Sequence, residues 1–300
     1  MQIVTNPGSN LPAKAIEYYG ITISPQQIVV DGKTHDTRRP IALDQVDIWV
    51  KTAREFPHVV GTTALEFTQI FSQLAKDDRE IIAVMTSRKV IQSYAAAISA
   101  ARTLMERPQF ANAKIAVLDS TFTDLAAGLI ALAAGEAKLA SAPFARVVPS
   151  LEAMAAHGRF VMTLTTLENM VKGGRAGFLR AWLADFLNIK PILGMLDGEI
   201  KSIGKMSASG DRCKAIVDDL VQVGRGRRVW AAIAHGNAPD DAAKLADQLR
   251  ATFDVAYLIS APLSPSIYLY AGPRSLCAAV MPIDKLAWEP PTPGPDFSLG

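Results

Sequence analysis

Residues 166–198 read TLENMVKGGRAGFLRAWLADFLNIKPILGMLDG, and the elements they specify organise the rest of the chain. Lys172 followed by Gly173 and Gly174 is how a helix ends: a cation sits in the carbonyl-rich last turn, and glycine takes the left-handed backbone that closes it. Arg175 follows directly. Beyond it, Leu179, Trp182, Leu183, Phe186 and Leu187 recur at i, i+3, i+4, i+7 and i+8, which puts large apolar side chains on one helical face. Asn188 closes that helix. Pro191 pushes Lys190 out of the helical region, so 190–193 runs extended, and Asp197-Gly198 is a turn dipeptide leading to a strand from Glu199 to Met206. The expected element is a helix, a Gly-Gly-Arg elbow, a second helix and a hairpin.

Composition limits what such an element can serve. A chain of 300 residues, 49% hydrophobic and 20% charged, buries a substantial core and is long enough for two domains. Its 31 basic and 29 acidic residues nearly cancel, so no strong field attracts a polyanion, and nucleic acid is not an expected partner. Cys213 and Cys277 lie far apart without metal or redox spacing and read as buried thiols. The start, Met1-Gln2-Ile3-Val4-Thr5, reads as a core strand without the basic and apolar regions of an export signal. The apolar run Leu125 to Gly135 is shorter than the ~20 residues a membrane span needs. The expectation is a soluble, cytoplasmic protein without integral membrane contact.

Through residues 1–148, short strand-like runs alternate with longer helical ones, the mark of an α/β layered domain with a mostly parallel sheet. Ile3 to Thr5, Glu80 to Ser87 and Lys114 to Ser120 are its clearest strands. Each ends in a hydroxyl or an acid, where open α/β sheets place their ligands. Thr62-Thr63 precedes a helix starting near Ala64, and Thr63 reads equally as that helix's cap or as half of an anion site. Asp119-Ser120 reads as a helix cap. The rhythm breaks over Ser141 to Val148, where a domain junction is expected. Residues 149–287 then read as an α+β domain with a mixed sheet, in which Ser266 to Ala271 is taken as a strand. Residues 288–300 hold four prolines between 290 and 295 and read as an extended or disordered tail.

The motifs in this order resemble the DegV family of bacterial fatty-acid-binding proteins. The family pattern T-L-x-Y-L-K-K-G-G-R-I-G, a helix, then L-N-I-K-P-I-L and D-G is matched by Thr166, Leu167, Lys172 to Arg175, Gly177, Leu187 to Leu193, Asp197 and Gly198. The resemblance implies a long-chain fatty acid held between the two domains, its carboxylate at a mouth lined by hydroxyls. It also implies possible presentation of that acid to a separate fatty-acid kinase. The ligand-binding residues it implies are Thr62, Thr63, Thr86, Ser87, Tyr270, Arg274 and Arg175. No cofactor, metal or catalytic residue is implied.

Departures from the pattern fall at the mouth itself. Thr5-Asn6-Pro7 stands for T-D-S, which weakens the expected support of the first loop. In T-S-Q-P-S-x-x-E-F, Glu66 and Phe67 match. An ungapped alignment puts Val59 on the first threonine and Thr63 on the last serine, while a two-residue deletion, the favoured choice, puts Thr62-Thr63 on T-S. Thr86 and Ser87 take the leading serines of S-S-x-L-S-G-T, but Val90-Ile91-Gln92 replaces S-G-T, and Arg88 and Lys89 add cations read as solvated. Tyr270 and Arg274 stand where H-x-G-P-G has its histidine and last glycine, and either offers a donor for a carboxylate. Lys205-Met206-Ser207 keeps the lysine and lacks the arginine of K-x-R, so binding is better supported than delivery to a kinase.

A buried acyl chain gains roughly 0.8 kcal/mol per CH₂, so affinity comes from the tail. The head group, which would cost several kcal/mol if left unpaired, sets orientation. Enzyme readings find no P-loop, metalloprotease or nucleophile-elbow motif, and His35, His58, His157 and His235 lack metal spacing. The alternative is a dihydroxyacetone-kinase-like protein acting on a small polar substrate.

Overall fold

The computed structural model describes residues 1–175, 177, 188–290 and 297. The expected helix carrying Leu179, Trp182, Leu183, Phe186 and Leu187, and most of the proline-rich end, lie outside the described residues. The first half runs β1 (Gln2–Thr5), α1 (Ala13–Tyr19), β2 (Ile21–Ile23), β3 (Gln27–Val30), β4 (Lys33–Asp36), α2 (Leu43–Thr52) and β5 (His58–Val60). It continues with α3 (Ala64–Asp77), β6 (Glu80–Met85), α4 (Ser93–Met105), β7 (Lys114–Asp119), α5 (Asp124–Leu139) and α6 (Phe144–His157). The second half runs β8 (Arg159–Thr163), α7 (Glu168–Lys172), β9 (Ile189–Leu196), β10 (Glu199–Ser207), α8 (Arg212–Gly224), β11 (Arg228–His235), α9 (Pro239–Thr252), β12 (Asp254–Pro262), α10 (Pro265–Ala271) and β13 (Leu276–Pro282).

The strands form a parallel sheet in the order β2-β1-β6-β7, a small antiparallel sheet β4-β3-β5, and a six-stranded mixed sheet β10-β9-β8-β13-β11-β12. In the mixed sheet β11 and β12 run parallel and the other neighbours antiparallel. The α/β class, a parallel sheet followed by a mixed one, is therefore what the chain forms.

Alternation along the strands explains why both faces of each large sheet are covered. On β1 and β6, Ile3, Ile82 and Val84 face one core, while Val4, Ile81, Ala83 and Met85 face α3 and α4. On β11 and β13, Trp230, Ala232, Cys277 and Ala279 face the first of these cores, while Ala231, Ile233, Ala278 and Val280 face α8 and α9. The shared core is filled by α5. Its residues Asp124 to Ala137 are all buried, and it packs on β1 and β6 on one side and on β11 and β13 on the other. A helix apolar all round has to be enclosed, and the small side chains of its Ala-rich run let two sheets approach it at once. Even so, among the described residues no helix is long and apolar enough to cross a membrane.

Local expectations fail where proline was misread. Ser266 to Ala271 is helix α10, not a strand: Pro265 occupies its first turn, where a missing N–H costs nothing, and Ser266, Leu269, Tyr268 and Ala271 bury at three-residue spacing. Helix α6 runs unbroken through Val148 with Pro149 inside it, and the Ser150 hydroxyl donates to the Arg146 carbonyl at 2.8 Å. No loop therefore marks residue 148, and the chain passes between the large sheets through α5 and α6. Asp119-Ser120 caps no helix. Ser120 Oγ accepts from Phe122 N at 3.2 Å and Asp119 Oδ1 from Thr121 N at 2.9 Å, so the pair shapes its own turn before α5 begins at Asp124. Near the chain's end, Phe297 is buried against Tyr18 and Tyr19.

Candidate ligand-binding site

The Gly-Gly-Arg elbow turns a cation inward. Helix α7 ends at Lys172; Gly173 lies so close to the Tyr270 ring that a Cβ there would come within 2.4 Å of it, and Gly174 takes φ +68°. Arg175, next in line, places its guanidinium carbon 4.8 Å from the Tyr270 ring centroid. Its Nη1 donates to the Val90 carbonyl at 2.9 Å and its Nη2 approaches the Tyr270 hydroxyl at 3.4 Å. That hydroxyl also accepts from Val59 N at 3.1 Å, which leaves its own proton for another acceptor. Among the described residues Arg175 forms no ion pair with a carboxylate.

Arg175 and Tyr270 stand on the wall of a slot holding about 650 Å³ of empty space, part of it open to solvent. One side is the C-terminal edge of the parallel sheet, with Gly8, Thr86, Val90, Ile91 and Asp124; the other is the face of the mixed sheet, with Phe160, Met162, Ile200 and Cys277. Helix α10 contributes Ser266, Ile267, Tyr270 and Ala271, and α7 contributes Met170. Among these lining residues Arg175 is the one cation.

The hydroxyls divide by what they already bond. Thr86, on the slot wall, is held by Asn6: Asn6 Oδ1 accepts from Thr86 N at 3.0 Å and Asn6 Nδ2 donates to Thr86 Oγ1 at 2.9 Å. Asn6, which the sequence reading treats as weakened support, thus fixes this threonine with both ends of its amide and leaves the hydroxyl proton to donate. Thr62 and Thr63 line an adjoining depression that shares Val59, Val90, Ile91 and Arg175 with the slot. Thr62 donates to the Pro25 carbonyl and accepts from Ser24 Oγ. Thr63 forms a full capping box with Glu66, its hydroxyl donating to Glu66 Oε2 at 2.7 Å. Ser87 is buried outside the slot lining, donating to the Gly198 carbonyl at the tip of the β9–β10 hairpin at 2.6 Å.

The structure does not bring Arg274 to the slot. Its side chain is 62% exposed and paired with Asp241 at 2.9 Å, so Tyr270 alone of the two stands on the wall. Arg88 and Lys89 are matched by Asp119 and Glu199, and Lys205 is exposed on β10. His235 is buried, and its Nδ1 accepts from Ala238 N at 3.1 Å; burial lowers its pKa and keeps it neutral as a turn anchor before α9.

Sequence reading missed the other polar wall. Asp124 is 1% exposed; its Oδ1 accepts from Asn10 Nδ2 at 2.8 Å, and the Leu125 backbone N–H and the Cys277 thiol are further donors beside its carboxylate. Burial raises its carboxyl from 3.8 to about 6. The one available signal was an acid opening an otherwise apolar helix.

A family model described as an uncharacterised protein of the DegV family matches residues 1–282. The chain belongs to the DegV family. A DegV domain-containing protein of Caldanaerobacter subterraneus is 27% identical over 280 residues, covering 90% of this chain and 95% of that one. Among solved structures, a fatty-acid-binding DegV family protein of Thermus thermophilus superposes with a TM-score of 0.84 at 21% identity, covering 94% and 99% of the two chains. A DegV family protein of Ruminococcus gnavus with vaccenic acid gives 0.83 at 18%, covering 93% and 98%. At these identities the structures establish a shared DegV fold.

Proposed function

We propose that this DegV protein binds a long-chain carboxylic acid, its acyl chain in the slot between the two large sheets and its carboxylate at Arg175 and Tyr270. The observation that carries the reading is a guanidinium that, among the described residues, has no carboxylate partner, set against a tyrosine hydroxyl whose proton has no acceptor among them, in a slot whose lining includes Val59, Val90, Ile91, Phe160, Met162 and Met170. Two donors there suit one anion, and the apolar wall suits a tail that gains roughly 0.8 kcal/mol per buried CH₂. The fatty-acid-binding DegV protein of Thermus thermophilus and the Ruminococcus gnavus DegV protein with vaccenic acid support the same reading.

Thr86, positioned by Asn6, supplies a further hydroxyl, whereas Thr62, Thr63, Ser87 and Arg274 hold the surrounding structure. The protein acts as a carrier, with no chemistry of its own. Hand-off to a separate fatty-acid kinase is the finer form of this proposal; Lys205 and Arg175 are the cations available for it.

Organic extraction of purified protein with lipid identification tests the reading: a stoichiometric long-chain acid is expected. Arg175→Gln should weaken binding of that acid about 10-fold in a titration, with the fold unchanged by circular dichroism. Recovery of no lipid, together with no binding of added acid to the delipidated protein, would sink the proposal.

A further inference from the structure

Val59, Val90, Ile91 and Arg175 line both the slot and the depression beside Thr62, and Val90, Arg175 and Ile200 line both the slot and a second depression at the β9–β10 hairpin, so these residues mark its openings. Phe160 and Met162 of β8 and Cys277 of β13 line the slot alone and are 2%, 3% and 1% exposed. Phe160 and Met162 share one face of β8, opposite Ala279 and Cys277 of β13, and two residues of rise separate them by roughly 7 Å. One step further on that face is Gly158, where a Cβ would stand 2.2 Å from Met281 Sδ and 3.3 Å from Phe122 Cε2. That ground is filled: Ala279 and Met281 are buried in the core, outside the slot lining. The Phe160 ring is the border between open slot and packed protein.

We infer that Phe160 sets the length of acid the slot accepts, the terminal methyl of the acyl chain abutting its ring. The inference rests on the long-chain-acid reading above, which puts the carboxylate at Arg175 and Tyr270. From there the tail has two inward courses. Toward Gln26, Thr123 and Asp124 it would lie against polar side chains, which an alkyl group cannot satisfy. Toward Met162 and Phe160 it is buried against carbon and sulfur, and each methylene placed there raises affinity about 4-fold. The gain ends where the next carbon would have to displace the ring, because a close-packed core resists an added methylene as it resists a void.

Displacement of a fluorescent fatty acid from delipidated full-length protein by saturated acids, from decanoic to docosanoic, tests this. Wild-type affinity is expected to climb about 4-fold per methylene up to one length and to stop climbing beyond it. Phe160→Ala should move that length up by roughly two to four carbons, since the space left by a large-to-small change collapses only in part, while shorter acids bind as they do to the wild type. Phe160→Leu should move it less, and decides if the alanine variant does not fold. Met281→Ala loosens the same core behind the ring and, with Phe160 in place, should leave the limit where it is. An unmoved limit in the Phe160 variants, an equal shift in Met281→Ala, or no limit at all in the wild type overturns the inference and leaves the acid reading standing. Failure of every acid to bind, the fluorescent one included, removes both.

Discussion

Asp124 weakens the fold that encloses it whenever it is ionised. Burial raises its carboxyl to about 6 from 3.8, so the sign of its effect is fixed. Well below 3.8 it is protonated both folded and unfolded. Between 3.8 and 6 the folded chain holds the proton more tightly, and stability falls as pH rises. Above 6 the whole cost, on the order of 2–3 kcal/mol, is present. Asp124→Asn keeps the acceptor for Asn10 and a side chain that tolerates φ +59°. It should therefore raise the unfolding free energy of ligand-free protein by roughly 1–3 kcal/mol at pH 8 and by little at pH 4, read from urea titrations at both. Arg175 was legible in sequence because two glycines before it announce an elbow. Asp124 was not, because a single polar residue beside an apolar run looks the same whether it caps a helix or lines a slot.

Helix α3 shows how one hydroxyl can satisfy two readings. Thr63 and Glu66 close a reciprocal box, with Thr63 N donating to Glu66 Oε2 at 2.8 Å and Glu66 N to Thr63 Oγ at 3.3 Å. Thr63→Ala and Glu66→Ala should each lower stability by about 1 kcal/mol, and the double variant by less than the sum, in thermal melts. Acid affinity should be unchanged in both; a loss confined to Thr63→Ala would show the threonine serving ligand as well as helix. The β9–β10 hairpin makes a second test. Asp197 and Gly198 take φ +51° and +79°, as a two-residue hairpin turn demands, and a Cβ on Gly198 would stand 2.7 Å from Ser87 Oγ. Gly198→Ala should cost 1–3 kcal/mol or more, visible as a lowered denaturation midpoint. The hairpin was readable because its turn chemistry is local. Helix α10 was not, since Ser-Ile-Tyr-Leu-Tyr alternates well enough for a strand until Pro265 is placed at a helix start. Likewise α6 defeats the usual meaning of an interior proline through contacts with α5 that lie outside its own window.

At the level of the whole molecule, one core runs from Ile3 and Ile82 through α5 to Trp230 and Met281. The expected pair of domains, 1–148 and a second from 149, therefore shares its interior, and cutting near 148 would expose the side of α5 that faces β11 and β13. Calorimetry of the intact chain should show a single cooperative transition, and a fragment of residues 1–148 should lack the cooperative melt of the whole; two separate transitions would contradict the shared core. Saturating acid should shift the transition upward by the linkage expected of a ligand that binds only the native state.

The enclosure of α5 also bears on how the proposed ligand would be exchanged. Jaws hinged across that helix would have to hydrate its buried length at every cycle, so the sheets stay clasped. On the proposed function, loading and unloading are then expected to proceed by small displacements at the slot mouth, where the proposed contact of the carboxylate with Arg175 and Tyr270 has to be made and broken.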